Sequence, residues 1–233
     1  AEHGIKVVLD GQGADELFGG YHHHLVAFWN NLLRSGQGVK AWKELRAART
    51  TLPRPFLFYG KEWLKQTLQD PGAAFRGVLD KGFIAENNVT KTNSYFNDVN
   101  AQLIDDIYDS RLKSFLKCED RAGMWHSVES RTPFSDDIGL IQLMFSIHGN
   151  RKIKNGVTKY LLREAVKQKL PTEVYHRYDK TGFETPMDNW VGQLKPKLTA
   201  EVREAGFDFV TPGAVEKLEK SGSFNNRLLF KLY

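Results

Sequence analysis

The strongest constraint on this chain is a short apolar strand that ends in a glycine turn. Ile5 to Leu9 is β-branched and brief, and Asp10 and Gly11 end it. Its apolar run suits a strand buried in a parallel sheet, and such a strand needs neighbours. No other stretch carries a convincing strand pattern, so the chain is expected to be mostly helical with one or few parallel strands. Glycine lets the backbone turn sharply and approach a ligand closely. Backbone N–H groups at a strand-to-helix turn favour anions, and a carboxylate beside them can hold Mg²⁺ on a polyphosphate. Gly11-Gln12-Gly13 followed by Asp15 and Glu16 has this layout. On spacing alone it is equally a structural turn, because Gly-x-Gly is common.

The remaining sequence reads as helices. Ala14 to Leu33 has helical character, weakened by Gly19-Gly20. Val39 to Arg49 and Lys61 to Gln69 are shorter, and Asp70 to Thr92 reads as loop. The longest helix is expected from Asn97, as N-cap, to Cys118, with Leu103, Ile107, Leu112 and Phe115 on its apolar ridges. Others are expected from Ser135 or Asp136 to His148, from Thr158 to Lys169, and at 213–220 and 223–232. Asp136 and Asp137 read as helix caps.

At 233 residues the chain suffices for one domain or two small ones. No apolar run approaches the roughly 18 residues needed to span a membrane. The single cysteine, Cys118, cannot form an internal disulfide and reads as an inert helix residue. A cytoplasmic protein is expected, with no membrane or nucleic-acid partner, because the basic residues behind the net charge of +5 are scattered. His22, His23 and His24 fan around a helix, so the three cannot all face one metal ion.

Three blocks carry a family resemblance. Leu9-Asp-Gly-Gln-Gly-Ala-Asp-Glu-Leu-Phe-Gly-Gly-Tyr21 resembles the second signature of the asparagine synthetase family, in its ATP-using domain. Ser127-Val-Glu-Ser-Arg-Thr-Pro-Phe-Ser-Asp136 resembles the family's Ser-x-Glu-x-Arg-x-Pro-Phe-x-Asp block. Lys159 to Trp190 carries Lys-Tyr-Leu-Leu-Arg-Glu-Ala, Leu-Pro and Arg-Tyr-Asp-Lys-Thr-Gly-Phe in the family's order. The resemblance implies an α/β synthetase domain of the adenine nucleotide alpha-hydrolase-like, PP-loop type. It also implies ATP and Mg²⁺ as cofactors. The implied substrates are aspartate or an analogue, ATP, and ammonia from glutamine. The implied reaction forms β-aspartyl-AMP, which ammonia attacks to give asparagine.

By the same resemblance Asp10, Gly11 and Gly13 belong to the nucleotide site, and Asp15 is the Mg²⁺-binding acid. Lys180 is the phosphate-contacting catalytic lysine, with Gly182 letting its loop fold over the site. Glu129 and Arg131 lie two apart on an extended segment and so point the same way, as an ion pair or as a wall of the substrate pocket. Glu16 caps or charges the helix that Asp15 begins. Gln12 departs from the family, which has glutamate there as a base during ammonia attack. Glutamine orients a nucleophile by hydrogen bonding but cannot take its proton near neutral pH. Either another group is the base, or this branch uses a different nucleophile or acceptor.

The Ser-Gly-Gly-x-Asp-Ser pyrophosphate loop and the N-terminal cysteine nucleophile of the glutaminase domain do not occur in the sequence. The chain is therefore expected to be the C-terminal portion of a synthetase domain, with a helical insertion over 22–95. It would need the upstream part of its own chain and be inactive alone, and a homodimer stays open. Two alternatives remain: a relative acting on another carboxylate, like the β-lactam synthetases, and a non-catalytic helical interaction module.

Overall fold

The computed structural model describes residues 4–68, 75, 77–87, 97–178 and 186–219. In chain order the elements are β1 (Val7–Leu9), α1 (Ala14–Phe18), α2 (His22–Arg34), α3 (Gly38–Ala47), α4 (Pro55–Leu68), α5 (Lys81–Glu86) and α6 (Val99–Asp105). They continue with α7 (Leu112–Trp125), β2 (Glu129–Arg131), α8 (Pro133–Asp136), α9 (Ile138–Ser146), α10 (Tyr160–Val166), α11 (Thr172–Tyr175), α12 (Met187–Ala205) and α13 (Ala214–Glu219). Among the described residues the chain is thus mostly helical, with a small parallel sheet of two strands. No helix among the described residues is long and apolar enough to cross a membrane. The fold divides into two compact units, Ala1–Thr67 with Asn93–Asp179, and Leu68–Thr92 with Lys180–Tyr233.

The first unit is built around α2. Leu25, Val26, Phe28, Trp29 and Leu32 are buried on it and pack with Ala41 and Leu45 of α3, Val99 and Leu103 of α6, and Ile153. A neighbouring cluster joins Leu17 and Phe18 of α1 to Met144 of α9, with Phe134, Ile107 and Leu161 against it. The helix that follows the glycine turn, α1, belongs to this second cluster through Leu17 and Phe18.

Several sequence expectations change here. The helix expected over Ala14 to Leu33 is two helices, because Gly19 adopts φ 75° and ends α1. The helix expected over Asn97 to Cys118 is also interrupted. Its N-cap is Asp98, which accepts from the Ala101 N–H at 2.8 Å, and a wide turn at Asp106–Ser110 separates α6 from α7. Arg111 N–H reaches back five residues to the Asp106 carbonyl at 3.1 Å, a π-type bond that re-aims the Asp106 side chain. Third, a second strand exists. Glu129–Arg131 pairs in parallel with Val7–Leu9, Val7 opposite Glu129 and Leu9 opposite Arg131. Its Glu-Ser-Arg sequence carries no apolar alternation, so backbone pairing and tertiary contacts specify it. Fourth, β1 is exposed rather than buried, with Leu9 at 77 %. Cys118 lies within α7 rather than at a helix end, and it is exposed.

In the second unit Val78 and Leu79 pack with Val191, Leu198 and Val202 of α12 and with Val215 and Leu218 of α13. Residues 70–92 were expected to be loop, yet α5 forms there, capped by Asp80, whose carboxylate accepts from the Gly82 and Phe83 N–H groups. The sequence reading also has no helix at α12, whose interior holds Pro196. Proline normally disfavours a helix interior, but apolar Val191, Leu198 and Val202 bury one face and outweigh it. The expected helix at 213–220 is α13, and the one at 223–232 lies outside the described residues.

Lys152 is fully buried beneath the Phe145 ring, 4.5 Å from its centroid, and its Nζ has no hydrogen-bond partner among the described residues. Burial lowers its pKa to about 8. The folded state therefore releases this proton more readily than the unfolded chain. Stability from this group rises as pH climbs from 8 towards 10. Lys152→Met should raise stability at pH 7 by about 1–3 kcal/mol and remove that alkaline rise, as read by urea denaturation at several pH values.

Candidate functional site

The turn after β1 is ordered by its own side chains. Asp10 Oδ1 accepts from the Gln12 N–H at 2.9 Å, which closes the turn over Gly11. The aspartate, where the family more often has serine, thus acts first on its own backbone. Asp10 and Gly11 are exposed and Gln12 is partly exposed, so all three face outward from the turn. Gly13 adopts φ 92°, and a Cβ there would sit 3.0 Å from Ser135 Cβ and the Ser135 nitrogen. Only glycine meets both conditions. Gly13 thereby brings the turn against the segment that follows β2. There Thr132 Oγ1 donates to Asp136 Oδ2 at 3.1 Å and accepts from Ser135 Oγ at 2.7 Å. Asp137 caps α9 through the Leu140 N–H at 2.9 Å, as expected, whereas Asp136 closes this cluster instead of capping a helix.

α1 is only five residues long, so its dipole is a weak source of anion affinity. The charge at the turn comes from side chains. Asp15 is about a quarter exposed, and Lys159 Nζ lies 3.1 Å from its Oδ1. Gly20 makes this pairing sterically feasible, since a Cβ there would overlap the Asp15 carboxylate and the Lys159 side chain. Lys159 itself adopts a left-handed backbone, φ 54°. That conformation costs a non-glycine residue about 1–2 kcal/mol and is concentrated at functional sites.

Behind Asp15 lies a buried polar cluster. Glu16 is buried and accepts from Tyr21 Oη at 2.7 Å. Burial raises the pKa of Glu16, against the opposing effect of the Tyr21 hydrogen bond. Glu16 sits in the first turn of α1, where it was expected to charge the helix, and the Tyr21 contact adds to that placement. His23 Nε2 and His24 Nε2 both meet Asp106 Oδ2, at 2.6 and 2.7 Å. Ser110 Oγ donates to Asp106 Oδ1 at 2.8 Å, and Arg111 Nε is 3.2 Å from the same oxygen. Two of the three consecutive histidines therefore converge on one carboxylate, through the wide turn after α6. His24 Nδ1 accepts from the Tyr21 N–H at 3.2 Å, which puts the ring proton on Nε2, facing Asp106. This tautomer suits a hydrogen-bonded hub, and Nε2 would have to give up its proton to ligate a metal.

Glu129 and Arg131 form an exposed ion pair at 2.8 Å on one face of β2, while Ser130 on the other face donates to Glu119 of α7. Lys180 and Gly182 lie outside the described residues. Sequence reasoning quoted the block containing Lys159 but gave that lysine no role. Its partnership with Asp15 spans 144 positions of sequence and has no local signature. The hub at Asp106 was equally hidden, because its aim depends on an interrupted helix.

The chain matches the family model described as Asparagine synthase over residues 1–232. It is 30% identical over 223 residues to asparagine synthetase [glutamine-hydrolyzing] 1 of Bacillus subtilis, covering 85% of this chain and 33% of that protein. A putative asparagine synthetase [glutamine-hydrolyzing] of Mycobacterium tuberculosis is 29% identical over 203 residues, 80% of this chain and 31% of the relative. Amidase chyE of Penicillium rubens is 27% identical over 92% of this chain and 38% of its own length. The chain thus spans about a third of the length of the curated relatives it matches. No solved structure matches it significantly.

Burial lowers the His24 pKa to about 4, against the pull of Asp106. Burial acts to raise Asp106, but the His23 and His24 hydrogen bonds outweigh it and hold its pKa below the usual carboxylate range. The unfolded chain takes up the His24 proton below about pH 6.5 and the folded chain does not. Stability is therefore expected to fall as pH drops from 6.5 to 4, with the Asp106 contribution lost lower still. His24→Gln should cost about 1–3 kcal/mol at pH 7 yet flatten the slope between pH 6.5 and 4, measured by denaturant titration across that range.

Proposed function

Because the chain belongs to the asparagine synthase family, we propose that it supplies part of the active site of an ATP-dependent amide-forming ligase. The ligase adenylates the aspartate side-chain carboxylate and passes it to ammonia from glutamine, in the cytoplasm. The observation that carries this reading is Asp15, seated at the glycine turn against Gly20 with Lys159 Nζ at 3.1 Å. Mg²⁺ on a nucleotide takes one or two carboxylates together with phosphate and water oxygens. A single, partly exposed carboxylate beside a turn is a donor set that fits. Asp15 would hold the ion, which supplies charge neutralisation at the phosphates. Lys159 balances the carboxylate, and Lys180 is proposed from the family resemblance alone as the phosphate-contacting lysine, an ammonium suited to phosphate oxygens. Gly11 and Gly13 allow close backbone approach, and Gln12 orients a nucleophile by hydrogen bonding. Glu129 and Arg131 are proposed as a wall of the substrate pocket.

The exposed apolar β1 supports the α/β, PP-loop form of the domain. Parallel strands are normally covered on both faces, and Leu9, Val7 and Val8 offer surface for further sheet and helices. Gln12 favours a second reading, a relative that adenylates a different carboxylate, in the manner of the β-lactam synthetases.

The test is ATP–pyrophosphate exchange on the natural full-length polypeptide that contains these residues. Asp15→Asn and Lys180→Ala should each lower exchange by about 10²–10³-fold, the size expected when a transition-state charge contact is lost. Gln12→Glu should leave exchange intact and raise ammonia-dependent asparagine formation. If Gln12→Glu leaves ammonia use unchanged, the second reading gains. Wild-type exchange in Asp15→Asn would overturn the assignment of the site.

A further inference from the structure

A cavity lies along α10, and neither Asp15 nor Lys159 is part of its lining. It has a volume of about 620 Å³, within the range of about 300–1,000 Å³ common for small-molecule sites. Its lining includes Ala47 and Val157 together with Lys154, Lys167, Tyr160, Tyr175 and Tyr178. It uses none of the residues of the glycine turn, and the nucleotide reading above gives it no role.

The walls are held in place from behind. Gly156 N–H donates to the Glu44 carboxylate at 3.0 Å, and its carbonyl accepts from Thr51 Oγ1 at 2.9 Å. A Cβ on Gly156 would overlap Ala48, so the loop bearing Lys154 is seated directly on the end of α3. On the other side, Arg163 donates to the carbonyls of Tyr175 at 2.9 Å and Arg177 at 3.0 Å. These donors are committed to that wall, while the guanidinium keeps its positive charge. Glu164, the acidic group of the lining, accepts from Tyr175 Oη at 2.8 Å.

Two ammonium groups remain to meet a ligand. Lys154 Nζ lies 4.9 Å from the Tyr160 ring centroid and 3.2 Å from its hydroxyl, and Lys167 Nζ lies 5.6 Å from the Tyr175 ring centroid. Each lysine is thus held along a tyrosine rather than sweeping freely through solvent, which lowers the ordering cost of binding an anion. Lysine is a point charge suited to phosphate oxygens, and the half-buried tyrosine rings offer flat apolar surface for a planar partner. We propose that this cavity is a binding site for a planar aromatic phosphate of mononucleotide size, separate from the site at Asp15.

The experiment is calorimetric titration of this chain with AMP, with adenosine and inorganic phosphate as controls. AMP should bind at least tenfold more tightly than either control, because both the ring and the acid contribute. The double variant Lys154→Gln/Lys167→Gln, at exposed positions that leave the fold unchanged by circular dichroism, should weaken AMP at least tenfold. Asp15→Asn should leave AMP affinity unchanged. The proposal is overturned if AMP shows no binding at millimolar concentration or if the double variant binds it as wild type. Loss of AMP binding in Asp15→Asn would also overturn it, by locating AMP at the glycine turn. Loss of pyrophosphate exchange without any change in AMP binding leaves this site standing whatever becomes of the synthetase reading.

Discussion

The arrangement of the site depends on how closely the backbone packs at Gly13 and Gly20. At Gly13 a positive φ and the near contact with Ser135 press the turn after β1 onto the segment after β2. At Gly20 the missing side chain leaves the space that the Asp15 carboxylate and Lys159 occupy together. These are steric facts about two positions, and they bring together three sequence blocks that are far apart in the chain. A partly exposed ion pair is still screened by solvent and contributes little on its own, so the Asp15–Lys159 contact is a consequence of this packing more than a cause of it.

A second layer secures α2 behind the turn. Asp106 takes hydrogen bonds from both His23 and His24, with Ser110 and Arg111 on its other oxygen. A buried carboxylate is costly unless it is well supplied with donors, and here the donors come from α2 and from the wide turn itself. Glu16 and Tyr21 fill the space between this hub and Asp15. The residues that carry charge near the turn therefore rest on a set of polar contacts whose loss would be felt in stability first.

Much of the helical character was legible because burial writes itself as periodicity. Leu103 and Leu112 fall where apolar spacing puts them, whereas Phe115, on the same predicted ridges, is exposed. β2 was not legible, since Glu129-Ser130-Arg131 pairs through its backbone and gives no alternating pattern. α12 was masked by Pro196, a local signal that tertiary burial overrode. The motifs pointed to Asp15 and the glycine turn because glycine geometry is local. They gave no hint of Lys159 as a partner or of His24 on Asp106, because each contact joins residues more than eighty positions apart.

The measurement that bears most directly on this account is pyrophosphate exchange in Gly20→Ala, made in the natural full-length polypeptide. Gly38→Ala serves as control, since a Cβ at Gly38 meets nothing within 4 Å. The account predicts that Gly20→Ala remains folded by circular dichroism but loses exchange by at least tenfold, because the Asp15 carboxylate is displaced, while Gly38→Ala exchanges as wild type. A folded Gly20→Ala protein that exchanges at the wild-type rate would contradict it.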